Sequence, residues 1–130
     1  MSKSALYAVD STAQTIVAGG VINFGMPVRR FGCNCNINNG NVVLKNSGYY
    51  DIDVSLTFEG TAALTPVITV YKDGVAVPGA TASVTTAADT TYTVNIPLIA
   101  RNTDCNESII TVVSDAAIDV TNAAIVVERI

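Results

Sequence analysis

From Tyr50 to Phe58 the chain alternates strictly, with Tyr50, Ile52, Val54, Leu56 and Phe58 set against Asp51, Asp53, Ser55 and Thr57. A period of two sends successive side chains to opposite faces of a strand, so one apolar and one polar face result. The same period runs through Thr91–Ile99, where Tyr92, Val94, Ile96 and Leu98 share a side. Shorter runs predict strands near Ser4–Val9, Gln14–Val17, Val21–Phe24, Cys35–Ile37, Val42–Leu44 and Ala82–Thr86. Asn39-Gly40 and Asp73-Gly74 are hairpin signals, because a type I′ turn needs positive φ at both central residues. The second predicts a hairpin over Val67–Pro78, and "SIITVVS" and "IDVTNAAIVVERI" supply the last strands. About ten strands at such spacing, with no helical period, predict an all-β antiparallel sandwich of Greek-key or jelly-roll type. Residues 1–130 read as a single domain, with no tandem repeat or linker.

The strands differ in how many faces they ask to bury. "SIITVV" and "AAIVV" are apolar on both sides, whereas a two-layer sandwich covers only one face of each sheet. With no helices to supply a second cover, another subunit is the simplest one. Ile110, Val112, Ile125, Val126 and Val127 are therefore expected at a subunit interface.

Composition agrees with extended structure: 18 Val, 12 Ile and 15 Thr are β-branched and fit a pleated surface. Mean hydropathy is +0.41, yet no apolar run approaches the length of a membrane helix. The net charge of −4 and scattered basic residues, with Arg29-Arg30 the only pair, argue against a nucleic-acid partner. Arg29-Arg30 read most simply as a solvated pair at a loop edge. The N-terminal residues lack the apolar core of a secretory signal, and the initiator Met favours assembly in a cytoplasm.

Candidate chemistry is sparse. The chain has no His, which removes the usual nucleophilic triad, and no Trp to stack a sugar. Cys33, Cys35 and Cys105 are too few to ligate zinc unaided, and their odd number argues against a complete disulfide framework, leaving free thiols or a bridge from Cys105 to one of the pair. Asn106-Glu107-Ser108 matches a glycosylation acceptor pattern that chance often produces. Asn34, Asn36, Asn38, Asn39 and Asn41 read as a loop and hairpin supplying their own turn hydrogen bonds. Asp51 and Asp53 lie two residues apart on one strand face, about 6 to 7 Å from each other. They read as a solvated face, or else as a subunit contact that could gather a cation on a symmetry axis. No catalytic residue, cofactor or resident metal is expected.

One motif points further. Gly48-Tyr49-Tyr50-Asp51-Ile52 opens the long strand, follows the short "VVL" and precedes the "VYKDGVAV" hairpin, and the chain ends in "IVVERI". Over Leu6 to Ile130 this order resembles the tumour-necrosis-factor-like and complement-type globular heads, in the version seen in phage head-fibre or capsid decoration proteins. The resemblance implies a jelly roll of about ten strands that forms a homotrimer. It gives Gly48 the turn into the strand, makes Tyr50, with Ile52 and Val54, a core anchor, and aims Asp51 and Asp53 at the neighbouring subunits. The function implied is a non-enzymatic virion protein, with the major capsid protein as a further partner and residues 1–20 as a docking arm or first strands. The alternative is a carbohydrate- or receptor-binding head on a fibre, spore or cell surface, with a host glycan as partner. Neither reading needs nucleic acid or a membrane.

Overall fold

The computed structural model of the chain describes residues 3–103 and 107–130. These form strands and turns with no helix: β1 (Ser4–Asp10), β2 (Gln14–Ile16), β3 (Gly20–Val21), β4 (Met26–Phe31), β5 (Cys35–Asn38), β6 (Asn41–Leu44), β7 (Gly48–Gly60), β8 (Val67–Lys72), β9 (Val75–Ser83), β10 (Thr91–Asn102), β11 (Ser108–Ser114) and β12 (Ile118–Arg129). Every pairing is antiparallel. One sheet runs β10-β7-β12-β1-β4, with β2 against β12. The other runs β5-β6-β11-β8-β9, with β3 against β11.

The two sheets bury one core between them. From β7 it takes Tyr50, Ile52, Val54, Leu56 and Phe58, from β11 Ile110 and Val112, and from β12 Ile125 and Val127. Each such side chain contributes about 1.5 to 3 kcal/mol on leaving water, so the alternating strands dominate the stability. The hairpin turns have the required backbone: φ is 52° and 78° at Asn39 and Gly40, and 52° and 82° at Asp73 and Gly74.

Three strands carry a proline: Pro27 in β4, Pro78 in β9 and Pro97 in β10. All three lie at sheet edges, where a missing N–H costs no ladder bond. β4 was not expected as a strand, since "MPVRRF" has no alternation and contains proline. It forms because an edge strand needs one partner only, and β1 supplies it with a bulge between Tyr7 and Ala8. Arg29 and Arg30 thus sit on a strand, not at a loop edge. The expected separate strand over Ala82–Thr86 is instead the end of β9, which runs on to Ser83. Residues 4–10 lie inside the sheet, between β12 and β4, so they form a strand and not a free arm.

Candidate subunit contact surface

The outer face of the β10-β7-β12-β1-β4 sheet is the surface with most to explain. Strand register sorts it into rows. One row reads Phe31, Ala5, Glu128, Asp51, Ile99, and the next Arg29, Tyr7, Val126, Asp53, Pro97. The ends of the first row are apolar and wet: Phe31 is 67% exposed and Ile99 61%. Tyr7 is also exposed, and Val126 is half-buried beside it. A groove of about 310 Å³ runs over the β1–β4 side, lined by Ala5, Tyr7, Arg29, Phe31, Val126 and Glu128. A strand that alternates buried and polar would put polar groups here. β1 and β4 do not.

Charges on this face are divided by side. Arg29 lies on β4, whereas Asp51 and Asp53 lie on β7, with Glu128 on β12 between. At about 4.8 Å per strand, β4 and β7 are roughly 14 Å apart, beyond any ion pair. Among the described residues the chain's ion pair is Lys72 with Asp73, and no hydrogen bond answers Asp51 or Asp53. Arg29 donates from Nη1 only to the Val28 carbonyl, at 3.1 Å. Arg101, on the far edge, lies with its guanidinium carbon 5.7 Å from the centre of the Tyr49 ring. Among the described residues no three acidic, Cys or His side chains gather to hold a metal within one chain.

The expected interface residues divide in two. Ile110, Val112, Ile125 and Val127 are at most 1% exposed and belong to the chain's own core, so they are corrected from contact to core. The physical reason is register: these positions point inward, and their outward neighbours Ile109, Thr111 and Val113 on β11, and Ala124 and Val126 on β12, carry the second apolar face. Val126, Asp51 and Asp53 do point outward, Asp51 half-buried and Asp53 exposed.

At the head of β7 the Gly48-x-Tyr50 motif is part of a buried polar network. Tyr50 donates its hydroxyl to the Asn46 carbonyl at 2.7 Å. Arg129, a buried cation on β12, donates to the Ser47 carbonyl at 2.7 Å. Gly48 has φ of 144°, and a Cβ there would meet Arg129 Nε at 2.9 Å. Asn34 donates to Ser4 Oγ at 2.6 Å, Asn46 donates to Asn34 Oδ1, and Asn102 bonds the Leu44 and Asn46 carbonyls. Asn34 therefore ties two sheets together instead of serving its own loop. Sequence reasoning missed Arg129, Asn46 and Asn102, whose polarity inside strands or beside them was the available signal.

Two further groups bear on chemistry. Cys35 is buried, and burial pushes its thiol up to about 11, against the lowering influence of Arg30; Cys33 is exposed. Cys105 and Asn106 of the glycosylation pattern lie outside the described residues. Asp73 Oδ1 accepts from the Ile109 N–H at 2.9 Å. Burial pushes this carboxyl up, but that bond, Ser108 and Lys72 together outweigh it and hold the group below the usual carboxylate range.

This architecture has known counterparts. The fold is that of TNF-like and complement-type globular heads. A murine APRIL structure superposes with a TM-score of 0.79 at 14% identity, over 99% of this chain and 100% of that one. The globular domain of zebrafish complement 1qA protein gives 0.71 at 10% identity, over 95% and 94%. The PRD1 vertex protein P5 gives 0.62 at 12% identity, over 97% of this chain and 72% of that one. No family model matches the sequence, and no curated protein matches it. At such identities the shared property is the jelly-roll head itself.

Proposed function

We propose that the chain is a non-enzymatic structural protein of a bacteriophage virion, a homotrimeric capsid decoration or head-fibre protein that docks on the major capsid protein. The carrying observation is the outer sheet face, where Phe31, Tyr7 and Ile99 are exposed in register with charges that the chain does not answer. A monomer gains nothing from apolar side chains in water, whereas a contact between copies of standard size, about 800 Å² on each, would bury them. The likeness to a vertex protein supports the virion setting, and the likeness to globular heads supports self-association. The mechanism is mechanical: apolar sheet faces hold the subunits together, and the short turns are displayed outward. Light scattering on the purified chain is expected to give three times the 13.5 kDa monomer mass at micromolar concentration. The virion assignment is tested by mass spectrometry of purified particles from a host encoding the chain. Its absence from them overturns that part alone.

A second reading, a receptor- or carbohydrate-binding head, is favoured by a cavity of about 450 Å³ between the β8–β9 hairpin and β10. Lys72 and Asp73, paired with each other, line it with Arg101, Val75 and Ile99, so Arg101 is the cation left to meet an anionic group beside an apolar wall. Glycan-array binding lost in Arg101→Ala supports it, and a blank array removes it.

A further inference from the structure

We propose that Arg29 of one copy of this chain pairs with Asp53 of the next, so that charge fixes how two copies align. The inference rests on the self-association proposed above and specifies its register.

The argument is one of rows. Arg29, Tyr7, Val126, Asp53 and Pro97 stand at one height along the strands, and Phe31, Ala5, Glu128, Asp51 and Ile99 at the neighbouring height. If copies are related by an axis lying along the strands, each residue keeps its height while the β4 side of one copy meets the β7–β10 side of the next. The first row then brings Phe31 against Ile99, both apolar and both exposed. The second brings Arg29 toward Asp53. Two independent rows give compatible partners from one operation. Slipping by one row instead sets Phe31 beside Asp53 and Pro97, and takes Arg29 from its acid's own height.

The charges also balance by side. The β4 side carries Arg29, exposed and bonded only to a neighbouring carbonyl, with no acid on its strand. The β7 side carries Asp51 and Asp53, with no ion pair inside the chain. Two carboxylates on one strand face repel each other and would oppose burial, unless an opposite charge enters with the partner. Arg29 is the cation of the opposite edge placed to do so, and its planar guanidinium suits a carboxylate. In a closed ring every copy uses both sides, so each Asp53 meets one Arg29.

The test is a charge exchange on the full chain, read as subunit mass against concentration by sedimentation. Arg29→Glu and Asp53→Arg are each expected to weaken assembly by about tenfold or more, and the double variant to recover to within about threefold of wild type. Both sites are exposed, so circular dichroism and melting of the single variants should match wild type. As a second measurement, in a Cys33→Ser background, Phe31→Cys with Ile99→Cys should form an intermolecular disulfide that neither single variant forms, because three strands lie between the two positions within one chain. An assembled wild type whose single variants assemble normally, or whose double variant fails to recover, overturns the pairing and leaves self-association standing. A monomeric wild type at micromolar concentration overturns both.

Discussion

Arg129 occupies the space that a side chain at Gly48 would need: a Cβ on residue 48 would lie 2.9 Å from the Arg129 Nε. The first turn into β7 and the end of β12 are thus locked to each other. The glycine of the Gly48-x-Tyr50 motif is required both by its φ of 144° and by a buried guanidinium. Gly48→Ala should cost about 2 to 3 kcal/mol, combining backbone strain with displacement of Arg129. In an Arg129→Ala background the additional cost of Gly48→Ala should shrink, since the clash is gone and only strain remains. Chemical denaturation of the four proteins checks this, and strict additivity would refute the coupling.

Val112 and Val126 separate core from contact. Val112→Asp places a carboxylate among the buried side chains of the sandwich and should abolish soluble folded protein. Val126→Asp changes an outward position and should leave a folded chain of lower subunit mass. Circular dichroism with light scattering reads both.

Asp73 should make part of the stability pH-dependent. Its carboxyl is held below the usual range in the folded chain, so its contribution is present above the unfolded value near ~3.9 and is lost as pH falls through the lower folded value. Asp73→Asn keeps a turn residue tolerant of positive φ but removes the charge. Its melting temperature should fall less than that of wild type between about pH 5 and pH 2.

The thiols should react unequally. With Cys35 raised to about 11, roughly a thousandth of it is thiolate at pH 8, and it is also buried. Mass mapping after brief alkylation of the native protein should find Cys33 modified and Cys35 intact. Equal labelling in the folded state would contradict the burial.

Fold was legible where one residue type did one job. Tyr50 to Phe58 alternate because one face meets the core, and Asn39-Gly40 and Asp73-Gly74 name their turns by backbone preference alone. The contact surface was much less legible. In β11 and β12 both faces are apolar, so the pattern shows that two faces need cover without saying which of them the chain itself covers. Nothing in the pattern separates Ile110 and Ile125 from their outward neighbours, and one residue of register reverses the answer. β4 stayed hidden for a different reason: an edge strand with proline and two arginines lacks the periodicity of a paired, half-buried one. With it went Phe31 and the partners of Tyr7, so the rows across the sheet could be assembled only from strand order. Arg129 was equally silent, since its tethering to Ser47 joins residues far apart in sequence.

The pairing of β1 with β12, Ser4 against Arg129 and Asp10 against Ala123, sets the timing of folding. Of these strands β1, the earliest made, finds its inner neighbour only in β12, the latest made. Until then β4 can hold β1 on one side, while β7 waits for the same missing strand on its other side. The β10-β7-β12-β1-β4 sheet can therefore close only after β12 has been made, and contacts of such long sequence separation make that closure slow. A nascent chain stalled before β12 should be held as two half-sheets with open edges, sensitive to protease and ready to pair with a neighbour's strand.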